Sequence, residues 1–135
     1  MNITGVTSYE NLFAEAGRIQ SFSEISVSDS PQEIAERIGD LGVYIARTGK
    51  MLADAKYHLN AKRKDETVEL IRKTLAVNQL SAKVQNSLVD SICREEQYLV
   101  DWLERLNRAL THQQDAMRSL LSYEKENLRI TKTGY

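Results

Sequence analysis

The segment 30–59, SPQEIAERIGDLGVYIARTGKMLADAKYHL, decides the fold. Ser30 followed by Pro31 and Glu33 reads as a helix start. Serine caps, the fixed φ of proline suits the first helical position, and glutamate at the third faces unpaired N–H groups. From there Ile34, Ile38, Leu41, Ile45, Thr48, Leu52, Ala55 and Leu59 recur at spacings of four and three, so one apolar seam runs along a long helix. Beside it stand the small residues Gly42, Ala46, Gly49 and Ala53. Gly39, Gly42 and Gly49 each cost roughly 1 kcal/mol relative to alanine in a helix interior. The spacing predicts that a closely approaching second helix offsets this loss. A phosphate-cradling loop is the other use for such glycines, and it fails: Gly42 to Lys50 lacks the required spacing, and Met51 stands where serine or threonine is needed.

Working outward, the polar run Asn60 to Glu66 predicts a kink or short turn near Lys64-Asp65 before Val68, Ile71 and Leu75 resume an apolar face. A reversal fits Val77 to Ser81, with Ser81 capping the next helix. A second comb, Leu88, Ile92, Leu99, Leu103, Leu106, Leu110, Gln113, Met117 and Leu120, meets no proline or glycine before Gly134. It reads as one helix of about 45 residues, ~68 Å at 1.5 Å per residue. Upstream, Thr7-Ser8-Tyr9-Glu10 resembles a capping box with Thr7 as cap and opens a short helix to about Gln20. The serine-rich stretch Ser21 to Ser30 reads as a linker. The expected fold is all-α. Residues 1–30 form an N-terminal helix and linker, 31–128 a long antiparallel helical hairpin with coiled-coil-like packing, and 129–135 a polar tail. Two helices make a thin core, so exposed apolar surface is expected to drive homo-oligomerisation, with a closed monomeric three-helix bundle as the other solution.

The chain has 135 residues, one proline, 27% charged residues and a formal net charge of -1. That charge is unevenly placed. Residues 1–46 carry two basic against seven acidic residues, 47–83 carry nine against four, and 84–135 carry seven against eight. The middle third is a cationic patch, which suits either anion binding or an ordinary solvated face. A single cysteine, Cys93, cannot form an internal disulfide, and neither a leader nor an apolar run of membrane-spanning length is visible. A cytoplasmic location without membrane insertion is the expectation.

His58 and His112 lie on different arms without ligand neighbours. Glu95-Glu96 and Glu124-Glu126 point apart on a helix, and no serine or cysteine sits in a nucleophile motif. Neither an enzyme, nor a metal site, nor a cofactor is expected. The positive candidate is Arg47, Lys50, Lys56, Tyr57, Lys62, Arg63 and Lys64, continuing to Arg72 and Lys73. Spacings of three and seven place Arg47, Lys50, Tyr57 and Lys64 roughly on one flank. Cations with an aromatic among them suit single-stranded DNA, where phosphates meet Lys and Arg and a base stacks on a ring. Tyr98 and Trp102 stand at i and i+4 and read as a packing pair. Arg118, Ser122, Lys125 and Arg129 form a polar stripe that either extends the cationic track or is simply solvated.

Leu52-Ala53-Asp54-Ala55-Lys56-Tyr57, the aromatic-led apolar helix from Tyr98 to Leu103, Ala109-Leu110 and Asp115-Ala116-Met117-Arg118-Ser119 together resemble small helical phage recombination mediators of the UvsY type, over roughly residues 45–125. The resemblance implies a non-catalytic, ring-forming oligomer. Such a protein binds single-stranded DNA and helps a recombinase displace single-strand-binding protein. Lys56, Tyr57 and Arg118 lie in the matching segments as candidate DNA contacts. The chain departs from the family in its acidic first third and its extra N-terminal helix. A reading from another class is a helical protein-interaction module, such as a phage-encoded inhibitor of a host enzyme or an assembly chaperone, with Glu24 to Asp40 as contact surface.

Overall fold

The computed structural model describes residues 5–132. They form five helices in the order α1 (Tyr9–Ser23), α2 (Pro31–Arg63), α3 (Glu66–Val77), α4 (Ala82–Ile92) and α5 (Arg94–Lys132), with no strand among the described residues. The fold is all-α. None of these helices is long and apolar enough to cross a membrane.

α2 and α5 make the main packing layer and run antiparallel, as three levels of contact show. Arg37 bonds Gln113, Thr48 bonds Asn107, and Arg63 bonds Gln97. Leu41, Met51, Ala55 and Leu59 of α2 are buried against Leu99, Leu103, Leu106 and Leu110 of α5. Polar side chains of α5 fix the register by donating to α2 carbonyls: Asn107 Nδ2 to Ile45 O at 2.9 Å and Gln114 Nε2 to Ile38 O at 3.1 Å. α1 lies against both helices and buries Leu12, Ala16 and Ile19. This third helix rotates the buried face of α2. Ile38, Ile45 and Leu52 of the expected seam are half-buried, while Arg37, Met51 and Asp54 are buried instead.

The break expected at Lys64-Asp65 is present. Lys64 caps the end of α2, and the Asp65 side chain accepts from Thr67 N to start α3. The reversal after Val77 closes with a double bond pattern, Leu80 N to Leu75 O and Gln79 N to Ala76 O. Gln79 adopts φ 57°, the left-handed residue such a helix end requires. Ser81 then accepts from Val84 N and starts α4.

Four expectations need correction. The second arm is not one helix: it breaks at Cys93, between α4 and α5. That point faces the end of α2, since Arg63 reaches both Asp90 and Gln97 across it. Below the bend Leu88 and Ile92 are exposed, and Val89 and Cys93 are the buried residues. At the amino end Ser8, not Thr7, caps α1 by accepting from Asn11 N, and α1 runs on to Ser23, into the expected linker. α5 continues through Lys132, past Arg129 where the polar tail was expected to begin, and 133–135 lie outside the described residues.

The row of small residues is also not where expected. Only Gly42 meets a neighbour that a Cβ would touch, Gln114 Nε2 at 3.3 Å, whereas Gly39 and Gly49 face open space. Gly49→Ala is therefore expected to raise stability by about 0.5–1 kcal/mol, seen as a higher thermal midpoint. Gly42→Ala should gain less because Gln114 must shift. A midpoint lowered by Gly49→Ala would mean that another chain packs on this face in solution.

Candidate nucleic-acid interface

Seven of the ten predicted contact residues have partners within the chain, Tyr57 through its ring contact with His58, and the hydrogen-bond and ion-pair partners of the other six divide those into two groups. Arg47 makes a fork of bonds to Glu15, with Nη2 to Oε2 at 2.7 Å, and a further bond to Thr7 Oγ1 at 3.3 Å. The Glu15 hydrogen bond, against the cost of burial, raises the Arg47 guanidinium above its ordinary value. Lys50 pairs with Asp54 and donates to Gly5 O at 2.9 Å. Thr7 completes the set. Its N–H donates to Asp54 Oδ2 at 3.1 Å and its carbonyl accepts from His58 Nε2 at 2.6 Å. Arg47 and Lys50 thus pin the amino-terminal arm onto α2. The flank of Arg47, Lys50, Tyr57 and Lys64 does not present itself as one cationic row.

The other pairs are weaker. Lys56 to Glu104 spans 3.7 Å, Arg63 to Asp90 3.5 Å and Arg118 to Asp115 3.9 Å, all between side chains more than a third exposed. Exposed pairs of this kind contribute roughly 0–1 kcal/mol, so a phosphate can displace them. Arg72 donates to the side-chain carbonyl of Asn86 at 3.2 Å. Lys62, Lys64 and Lys73 are exposed, and none of them has an ion-pair partner among the described residues. Lys62 and Arg63 occupy the last turn of α2, where cations also complement the helix dipole. Tyr57 is half-buried, its ring 5.7 Å from that of His58. Arg118 stands apart. Gln97 lies level with Arg63, and 21 residues of helix separate Gln97 from Arg118, about 32 Å at 1.5 Å per residue.

Asp54 gives the arm a pH signature. Burial alone would raise its carboxyl, but hydrogen bonds from Lys50 and Thr7 outweigh that and hold it below the ordinary 3.8. A carboxyl lowered in the folded state contributes stability that is present above its unfolded value and lost as pH falls through the folded one. The thermal midpoint of the native chain is therefore expected to fall more steeply below about pH 4 than that of Asp54→Asn. Parallel acid limbs would contradict the pairing.

Two features lay outside the predicted site. Tyr9 and Phe13 of α1 join Tyr98 and Trp102 of α5 in a chain of rings. Their centroids are 6.3 Å apart for Tyr9–Phe13, 5.4 Å for the edge-on Phe13–Trp102 pair and 6.1 Å for Tyr98–Trp102. Each half is an i, i+4 pair visible in the sequence, but only the docking of α1 joins them. Cys93 is buried, and desolvation followed by Glu96 raises its thiol, which keeps it protonated. Among the described residues no group of three or more His, Cys, Asp or Glu side chains is placed to hold a metal ion. No protein family, curated protein or solved structure matches this chain.

Proposed function

We propose that this chain is a non-catalytic, self-associating helical protein that binds single-stranded DNA and serves as a recombination mediator of the UvsY type. The observation that carries the reading is the set of exposed cations on either side of the break between α2 and α3. Lys62, Lys64 and Lys73 are exposed and without ion-pair partners among the described residues, and Arg63 stands beside them in a pair weak enough to exchange for phosphate. Lys56 and Arg72 extend this patch along the same arm, and Tyr57 lies within it. Arg47 and Lys50 hold the protein's own arm, and Arg118 is a separate cation.

In this reading α2–α3 and α4–α5 are the two arms of a long antiparallel hairpin, and self-association uses its distal end. There α3 and α4 bury only Val68 and Val89, while Leu70, Val77, Leu80, Val84, Leu88 and Ile92 remain exposed. An apolar face of that extent favours a neighbour. Repeating the subunit would multiply a modest cationic patch into avid binding. A recombinase and single-strand-binding protein are the partners that the resemblance supplies.

Titrating a fluorescent oligothymidylate at about 50 and 200 mM salt tests the proposal. Three to five phosphate contacts per subunit predict an affinity loss of about one to two orders of magnitude across that range. Binding absent at both salts would leave a protein-interaction module as the better reading, with the distal apolar face as its contact surface.

A further inference from the structure

Residues 70–89 are the longest run of the chain without an acidic residue, and they carry Arg72, Lys73 and Lys83. They span most of α3, the reversal and most of α4, the distal end of the hairpin. Lys83 lies outside the predicted contact set. It is exposed, has no ion-pair partner among the described residues, and stands in the first turn of α4, which holds no acid. A cation at that end opposes the helix dipole, so folding gains nothing electrostatic from it. Glu69 and Asp90 bound the run. Glu69 lies one turn before Lys73 on α3, and Asp90 is held by Arg63 at 3.5 Å.

Arg72 Nη1 donates to Asn86 Oδ1 at 3.2 Å, which ties α3 to α4. A guanidinium only donates, so this bond sets Oδ1 of the exposed Asn86 toward Arg72 and leaves Nδ2 to donate elsewhere. Lys83 and Asn86 are three residues apart and share a face of α4, about 4.5 Å from each other along its axis. Val84, Leu88 and Ile92, four apart, form a different stripe of the same helix, so the apolar face assigned to self-association stays clear. We infer that a single strand bound at Lys62, Lys64 and Lys73 crosses from α3 onto α4, its phosphates meeting Arg72, Lys83 and the amide of Asn86. Phosphate suits this face because it offers two charged donors and one neutral one, and residues 70–89 bring no carboxylate to oppose it. The inference rests on the single-stranded DNA reading and adds the second arm to an interface otherwise confined to the first.

The test is the affinity of the full chain for a fluorescent oligothymidylate at about 50 and 200 mM salt. Lys83→Glu should weaken binding about fivefold at the lower salt and reduce the salt slope by about 0.7, the share of one phosphate contact on a single strand. Lys83→Arg should keep the native affinity. Glutamate in the first turn of a helix suits its dipole, so the thermal midpoint of Lys83→Glu should not fall, and the lost affinity then reports a lost contact rather than unfolding. Asn86→Asp, which offers Arg72 a carboxylate in place of the amide, should weaken binding by a similar factor. Lys125→Glu makes the same change in net charge on an exposed lysine near the far end of α5 and should alter affinity less than about twofold. Native-like binding by Lys83→Glu, while Lys62→Glu, Lys64→Glu and Lys73→Glu combined abolish it, would overturn the inference and leave the DNA reading standing. Equal losses from Lys83→Glu and Lys125→Glu would overturn it as well, by showing a response to net charge alone. No binding by the native chain at either salt would instead remove the DNA reading, and the inference with it.

Discussion

Lys62→Glu, Lys64→Glu and Lys73→Glu combined should weaken binding of single-stranded oligothymidylate by about two orders of magnitude at low salt, with the salt slope falling by about two. All three lysines are exposed and bond no carboxylate among the described residues, so their reversal would remove phosphate contacts without breaking an ion pair there. Lys62 lies in the last turn of α2, where reversal also opposes the helix dipole, a cost of roughly 0.3–1 kcal/mol. Helicity followed by circular dichroism should therefore survive while DNA binding is lost. Arg118→Glu provides the comparison. Lying about 32 Å along α5, it should change affinity by less than about threefold. Equal effects at the two places would mean that the protein responds to net charge alone, and undiminished binding by the triple variant would remove the cluster from the interface.

Local signals in the sequence and the contacts they produce separate cleanly at particular residues. Pro31 at the helix start, the break at Lys64-Asp65 and the Ser81 cap were legible because each depends on a few adjacent residues whose backbone preferences have no competitor. The bend at Cys93 carries no proline or glycine. It lies across from the end of α2, where Arg63 contacts Asp90 and Gln97 on either side of it, a non-local relation that periodicity cannot register. The same limit applies to Gly39 and Gly49. A row of small residues predicts a close neighbour without saying whether one is present, and within one chain only Gly42 has it. For the site, the sequence supplied residue types and the fold supplied partners. Arg47 looked like a phosphate ligand until α1 brought Glu15 to it, and Lys50 until the amino-terminal arm brought Gly5. Lys62, Lys64 and Lys73 differ from them in having no ion-pair partner among the described residues.

Arg37→Ala is expected to cost about 2–4 kcal/mol of stability, the largest loss from any single charged residue here. The side chain is only 6% exposed. Its Nη2 donates to Phe22 O at 2.9 Å and to Gln113 Oε1 at 2.8 Å, Nε donates to the same oxygen at 3.1 Å, and the guanidinium carbon lies 3.9 Å from the Phe22 ring centre. Gln113 Nε2 in turn donates to Ser23 O at 2.9 Å, so one arginine ties the end of α1 to α5 through α2. Burial lowers the guanidinium from its ordinary value, against the pull of Asp40, yet arginine remains charged and must keep its acceptors. Alanine would strand the Gln113 oxygen, take one donor from Phe22 O, which keeps the bond from Ile25 N at 3.1 Å, and empty the space over the ring. Methionine should recover part of the loss, because it restores the apolar stem while leaving the Gln113 oxygen without its donor. Urea unfolding followed by both circular dichroism and Trp102 emission separates the causes. Trp102 packs on Phe13 and donates to Gln20 Oε1 at 3.0 Å, so its emission shifts when α1 leaves. In Arg37→Ala the emission should move at lower urea than helicity does, as α1 detaches before α2 and α5 separate. Coincident transitions with a cost below about 0.5 kcal/mol would mean that the buried apolar residues of α1, Leu12, Ala16 and Ile19, hold it without the latch.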